Sequence, residues 1–308
     1  MKGAGTRPSL LRFATNVKHV KARADLRRGT LRYLRGDGTE ATRAMDAQAT
    51  DRKAQARVLF DLIAPDYDAA GCFASFGRRL VDDAGVAAGQ RVLDVASGRG
   101  AVLFPAAARV GAGGSVTGID LAPEMARATN ADAERRGIPA RVEVMDAEDL
   151  TFADGVFDRV LCGFGIMFLP HLDRALAGFR RVLAKDGRIG VSTWQITPIH
   201  DLADVLKEAG VQGSEPPGIR DPEELRRVLT AAGFSDVTTK IDTTAVAYRD
   251  LDGYWRDARG TGIRRALDPL SAEQTERMRA ALAERLRDRQ RPDGYRVEAT
   301  AVFGIAAR

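Results

Sequence analysis

The stretch VLDVASGRG, residues 92–100, decides the fold. A short apolar strand carrying one carboxylate, Asp94, runs into a turn with two glycines, Gly98 and Gly100, and helix-forming residues resume at Ala101. Glycine at a strand-to-helix turn allows positive φ and lets a ligand approach the main chain closely. The helix that follows presents free N–H groups and the positive end of its dipole. Alone, a G-x-G is a weak signal. It gains weight from Asp120, which ends the next strand-like run (SVTGID, 115–120) twenty residues after Gly100. An acid placed there accepts hydrogen bonds from ribose hydroxyls. A dinucleotide would require a third glycine at position 103, where the chain has Leu103. Asp94 is equally misplaced for a pyrophosphate, and a carboxylate inside an apolar strand needs a partner. The ammonium of an amino-acid tail suits it, so the pattern points to a nucleoside carrying such a tail.

Outward from this turn the rhythm is strand then helix. Strand-like runs are RVLDVA (91–96), SVTGID (115–120), RVEVM (141–145), VFDRVLCGF (156–164) and RIGVSTW (188–194), with helical stretches at 101–110, 122–136 and 172–184 between them. Short apolar strands alternating with helices predict parallel βαβ units with helices on both faces of one sheet. Beyond 194 helices are expected near 199–209 and over 222–233, the latter capped by Asp221 with Pro222 in its first position. A strand follows near 236–248, then helices over 251–266 and 271–289, the second opened by a capping-box-like Ser271 with Glu273 and Gln274. The closing run YRVEATAVFGIAA (295–307) completes seven strands and suggests a hairpin at the sheet edge. Before the α/β core, a helix is expected from about Asp51 until Pro65 breaks it. The expected organisation is a basic helical extension over 1–57 and an α/β domain over 58–308, with 195–290 contributing substrate-side helices.

The chain has 308 residues, 44% of them hydrophobic, enough for a sizeable core. No apolar run approaches the ~18 residues that span a bilayer, and the first residues lack the apolar core and cleavage site of a secretory signal. Cys72 and Cys162 form no disulfide framework and no zinc site; Cys162 reads as a small buried hydrophobe, and a reducing cytoplasm fits. Net charge is +5, yet residues 1–57 hold fourteen Lys and Arg against five Asp and Glu, leaving the remainder at −4. A basic arm can mark nucleic-acid binding, a solvated face or an oligomer contact. Its apolar residues speak for folding: Leu10, Leu11, Phe13 and Val17 share a helical face, and Leu26, Leu31, Tyr33 and Leu34 form a second cluster. Such helices would dock over the site or onto a second subunit.

VLDVASGRG, VTGIDLAPEM, VEVMDAEDLTFADGVFDRVLCGFGIMFLP and FRRVLAKDGRIGVSTW resemble the successive motifs of class I S-adenosylmethionine-dependent methyltransferases. They are most similar to the ubiquinone and menaquinone biosynthesis methyltransferases and their small-molecule, natural-product relatives. The resemblance implies a Rossmann-like, seven-stranded, mostly parallel sheet and S-adenosylmethionine as methyl donor. It implies that Ala96, Ser97, Gly98 and Gly100 line the methionine part, with Asp94 on its ammonium. Asp120 would hold the ribose, with Leu121 and Met125 flanking the adenine. Asp146 would accept from the adenine amino group, Ala147 would donate from its backbone, and Glu148 would lie nearby. Gly163 would sit beside the sulfonium. Ala96 departs from a usual glycine, a difference of one methyl.

The acceptor class is read at the end of the fourth strand. Nucleic-acid amino methyltransferases of this fold carry Asn or Asp, then Pro-Pro and an aromatic; here the run is CGFGIMF. With Phe164 and Phe168, joined by Trp194 and Tyr67, this is an apolar wall for a flat or greasy small molecule, at carbon or oxygen. A nucleic-acid substrate is disfavoured; a donor-binding relative without methyl transfer is the other alternative. Should a base be needed, the candidates are His200, in the loop after the fifth strand, His171 at a helix start, and Tyr67, which in the family lies near the donor. No His/carboxylate cluster has metal-ligand spacing, so no metal is expected.

Overall fold

The computed structural model describes residues 40–67, 71–211 and 218–308, with side chains from Asp46 onward. The apolar clusters at Leu10–Val17 and Leu26–Leu34 lie outside the described residues. The chain divides into two units, 1–43 and 44–308, and the site belongs to the second. In chain order the elements are α1 (Glu40–Ile63), α2 (Cys72–Asp83), β1 (Arg91–Val95), α3 (Leu103–Val110), β2 (Ser115–Asp120), α4 (Pro123–Arg135), β3 (Ala140–Val144) and β4 (Phe157–Gly163). There follow α5 (Leu172–Val182), β5 (Leu183–Ile196), α6 (His200–Glu208), α7 (Pro222–Ala231), β6 (Ser235–Tyr248), α8 (Leu251–Arg259), α9 (Arg264–Leu267), α10 (Ala272–Arg285), β7 (Gln290–Arg291) and β8 (Gly294–Ala307).

The seven expected strands are present, in the order β3-β2-β1-β4-β5-β8-β6; the two-residue β7 pairs with β8 as an eighth. β1 to β5 pair in parallel, whereas β8 runs antiparallel between β5 and β6. The expected edge hairpin is thus corrected in detail: β6 takes the edge and the closing strand lies inside. The order reverses at β1, flanked by β2 and β4. In an open α/β sheet the crevice beyond the strands' carboxyl ends at such a reversal is where ligands bind.

Alternation along each strand builds two cores. Val92 and Leu161 face one with Phe76, Leu80, Leu103 and Ala106 of α2 and α3. Leu93, Val160 and Cys162 face the other with Leu176, Phe179, Leu225 and Leu229 of α5 and α7. By the same period of two, Asp94 points to the α2–α3 side. Burial pushes the Cys162 thiol up to about 12, in keeping with its reading as a core hydrophobe.

Several local rules held. Asp221 accepts from the Glu224 N–H at 2.8 Å, and Ser271 with Gln274 makes a complete capping box. The helix expected over 251–266 is broken: α8 stops at Arg259, and a Cβ on Gly260 would lie 2.6 Å from the Asp66 carbonyl, so this turn is pressed against the end of α1. α1 itself starts earlier than Asp51, and the boundary expected at 57/58 falls inside it. Its apolar run splits: Leu59 and Ile63 pack with Ala122 and Met125, while Val58 and Leu62 are exposed.

Gly118 of β2 is enclosed by Ser97, Val142 and Leu103; a Cβ there would come within 2.4 Å of Ser97 Oγ. Gly118→Ala is expected to destabilise the protein by about 1–3 kcal/mol through overpacking. Thermal unfolding measures it, and an unchanged midpoint would contradict this packing.

Candidate donor site

Two adjoining cavities open at the end of β1. The first, of about 420 Å³, is bounded by Asp94, Ser97, Gly100, Val102, Phe104 and Ser192. The second is bounded by Asp120, Leu121, Asp146, Ala147, Phe168 and the α1 residues Lys53 and Phe60. Tyr67, Ala96, Gly98, Gly163 and Phe164 line both, so the two cavities adjoin at the carboxyl end of β4.

Asp94 is 1% exposed, and neither carboxylate oxygen has a well-formed hydrogen bond, the Ser97 side chain and the Leu103 amide only tempering the effect of burial. The nearby Ser97 hydroxyl donates instead to the main-chain oxygen of Asp94 at 2.9 Å. Burial pushes the Asp94 carboxyl up to about 8. A buried, unpartnered acid in the wall of a cavity calls for a cation, and an amino-acid ammonium supplies one. Asp120 is the complementary case. Its Oδ2 accepts from the Gly98 N–H at 2.8 Å and its Oδ1 from the Ala122 N–H at 2.9 Å. Burial raises its pKa and outweighs these two bonds, and each oxygen keeps a lone pair for a ribose hydroxyl.

The glycine turn is shaped for close approach. Gly98 has φ +50° and Gly100 φ +82°. Ala96 adopts φ 55°, the left-handed region that glycine takes freely and alanine adopts at a cost of about 1–2 kcal/mol. Room for its methyl comes from Gly165, where a Cβ would lie 2.7 Å from Ala96 Cβ.

Lys53 was not singled out from the sequence. Its ammonium donates to Asp146 Oδ2 at 2.7 Å and pairs with Glu148 Oε2 at 2.5 Å. Burial pulls the Lys53 pKa down, but the bonds to the two acids outweigh it and the pKa is raised. Asp146 Oδ1 also accepts from the Glu148 N–H at 2.9 Å, and Glu148 Oε1 accepts from the His171 N–H at 2.9 Å. Glu148 is therefore a buried brace behind the cavity rather than part of its wall. Met125 is corrected likewise: fully buried beneath α1, it lines neither cavity. α1 is anchored by Arg99, which donates to the Ala64 carbonyl and pairs with Asp132, each at 2.7 Å, and by Asp61, which accepts from the Glu124 N–H at 2.9 Å.

The aromatic wall is larger than its four expected members. Phe164 stacks on Trp194 with centroids 4.0 Å apart, Tyr67 stacks on Phe73 at 5.1 Å, and Phe60 meets Phe168 edge-on at 5.0 Å. Phe73 and Phe76 both touch the Phe164–Trp194 pair. Trp194 backs the wall without lining either cavity. Neither histidine does so either: His200 Nδ1 is 2.9 Å from the Thr197 carbonyl, and His171 Nε2 is 3.9 Å from Asp46. Among the described residues no group of His, Cys, Asp or Glu could hold a metal ion.

A doubly wound sheet with a nucleoside crevice at its switch point defines the general class. Comparisons with known proteins are specific. A methyltransferase domain family matches residues 92–187. Nocamycin O-methyltransferase of Saccharothrix syringae is 37% identical over 58% of this chain and 72% of its own length. Aklanonic acid methyltransferase DauC of Streptomyces is 41% identical over 47% of this chain and 68% of its own. The fold is shared with the YcgJ protein of Bacillus subtilis, at a TM-score of 0.54 and 16% identity over 76% of this chain and 98% of that one. The chain belongs to the class I S-adenosylmethionine-dependent methyltransferases, as its motifs led one to expect.

Two outcomes follow from the acids. The Asp94 carboxyl, raised to about 8 when folded and near 3.9 when unfolded, favours the folded state fully below about pH 4; that contribution is lost as pH rises towards 8. An ammonium ligand selects the ionised form, so S-adenosylhomocysteine should bind with proton release below about pH 8. Its affinity should rise between about pH 6 and 8, by at most about tenfold per unit. Calorimetry in buffers of different ionisation heat reads this, and Asp94→Asn should flatten it; a pH-independent wild-type affinity would refute the pairing. Lys53→Met, which leaves the Glu148 side chain (1% exposed) without its cation, should cost about 1.5–3 kcal/mol in denaturant unfolding. No change would detach α1 from the site.

Proposed function

We propose that this enzyme methylates oxygen or carbon of a small, flat, aromatic, quinone-like or natural-product acceptor. The observation that carries the reading is the aromatic wall: Phe164, stacked on Trp194, meets Tyr67 and Phe73 where the two cavities adjoin at Gly163. Both relatives above are named for natural products, which supports the same reading. Bound S-adenosylmethionine supplies an electrophilic methyl on a cationic sulfur. Asp94 holds the tail's ammonium, Asp120 the ribose, and Asp146 with the backbone of Ala147 the adenine edge, Leu121 beside it. The aromatic residues orient the acceptor and exclude water, so that alignment provides most of the acceleration.

Of the three candidate bases, Tyr67 is the one that lines both cavities, and we assign it the acceptor's proton in preference to His200 and His171. No metal is assigned a part. We give the first 57 residues to a lid or subunit contact; Lys53, Ala56 and Arg57 already supply cavity wall. No described helix is long and apolar enough to cross a membrane, and Cys72 and Cys162, both buried and outside any disulfide, fit a reducing cytoplasm.

The test is turnover with labelled donor across a panel of phenolic and enolic polycyclic acceptors and nucleic acids, with and without EDTA. Methylated small-molecule product, formed equally in EDTA, is expected. Methylation of nucleic acid alone, or of nothing, would overturn the reading. Tyr67→Phe should keep donor affinity and lower kcat by about 10²-fold or more if Tyr67, ionised to phenolate, takes the acceptor's proton and becomes the neutral phenol; an unchanged kcat removes that role.

A further inference from the structure

β6 ends the sheet, and among the described residues no strand pairs with its outer edge. It is 14 residues long and holds neither proline nor glycine, so a row of outward main-chain groups runs along it. The centre of that edge reads Thr238, Thr239, Lys240, Ile241, Asp242, Thr243, Thr244. The order is the same from either end, except that a lysine on one side of Ile241 answers an aspartate on the other. Antiparallel strands related by a two-fold axis bring each residue opposite its mirror position. With the axis at Ile241, Lys240 of each copy stands opposite Asp242 of the other. Threonine meets threonine beyond them, and isoleucine meets isoleucine at the centre.

The backbone has the parity this register needs. In an antiparallel ladder one residue turns both main-chain groups to one neighbour, and the next turns them to the other side. Thr243 faces away from β8. Its carbonyl accepts from Arg79 at 3.4 Å, and its hydroxyl lies 3.0 Å from that of Thr300 opposite, the close approach of a pair without mutual main-chain bonds. Ile241 and Thr239 share this parity, so the N–H and C=O at the centre point outward. A carbonyl has two lone pairs, so Arg79 can stay while an N–H of a second copy arrives.

The side chains agree. Lys240 and Asp242 share the α2 side, where they pair with Asp83 at 2.7 Å and Arg79 at 2.6 Å. Ile241 lies on the other side of the strand, 48% exposed. A lysine on an open edge ordinarily keeps other strands away. In this register each charge meets its opposite instead, and the Asp83–Lys240 pair of one copy continues into the Asp242–Arg79 pair of the other.

We propose that two copies of this chain pair β6 to β6, antiparallel about Ile241, so that their two seven-strand runs join as one sheet. A second copy is the fitting occupant because the segment is complementary to itself. Opposite charges and threonine pairs across strands favour such pairing, and like charges oppose it. The contact uses no residue of either cavity and none of the first 57.

The experiment is light scattering and sedimentation over a concentration series, on the full chain and on Lys240→Asp, Asp242→Lys and Ile241→Arg. The wild type should form a dimer. Each variant sets like charges opposite one another, and each should raise the dissociation constant about tenfold or more. All three should bind S-adenosylhomocysteine as the wild type does, which shows them folded. In an equimolar mixture of Lys240→Asp with Asp242→Lys, one chain carries two acids and the other two lysines, so a mixed dimer should return. A wild type that stays monomeric, variants that dimerise as tightly as the wild type, or a mixture that stays monomeric would each overturn the proposal.

Discussion

The carboxylate of Asp120 joins the two main-chain turns at the crevice, next to a main-chain bond from the Ser97 N–H to the Ile119 carbonyl at 3.0 Å. One oxygen holds the Gly98 amide after β1, and the other holds the Ala122 amide after β2. Parallel strands leave their connecting turns to be positioned by something else, since the sheet's hydrogen bonds end where the strands do. Here the buried acid performs that task together with the Thr129 hydroxyl, which donates to the Gly98 carbonyl at 2.6 Å. The acid fixes the glycine turn over the first helix's entrance and presents its remaining lone pairs to the crevice. The tight fit of Gly118 beneath Ser97 belongs to the same arrangement, because a bulkier β2 would lift the turn off the acid.

α1 adds a wall that lies outside the stretch matched by the methyltransferase domain family. The region matched by the methyltransferase domain family begins at Val92, yet the outer wall of the second cavity comes from Lys53, Ala56 and Arg57 well before it. Three polar anchors hold this helix: Lys53 on Asp146 and Glu148, Asp61 on the α4 amide, and Arg99 on the Ala64 carbonyl. The matched domain thus supplies the floor of the site, and a helix that precedes it in the chain supplies the cover.

The sheet and the position of three acids at the crevice were legible because their signals are local. Strand alternation, a glycine turn and an acid at a strand end each occupy a few consecutive residues, and Asp94, Asp120 and Asp146 all stand at the crevice as their positions implied. Lys53 was illegible because its meaning lies 93 residues away, in a carboxylate that sequence had already given to the adenine. It could only be counted with the basic excess. Met125 misled for the opposite reason: a methionine behind a nucleoside-binding strand reads as ligand contact until α1 is seen to cover it. Phe73 and Phe76 sat on an amphipathic helix whose apolar stripe looks like any core face. The break at Gly260 depends on a carbonyl of α1, which no local pattern encodes.

Ala96 and Gly165 form a fitted pair. The strained alanine at φ 55° is tolerable because the residue opposite has no side chain, and the methyl fills that space. A side chain at 165 would meet Cys162 Sγ as well as Ala96 Cβ, each at 2.7 Å, so removing the methyl at 96 would not by itself open the position. The fixed member of the pair is thus Gly165, held bare from two sides, and the alanine is fitted to it.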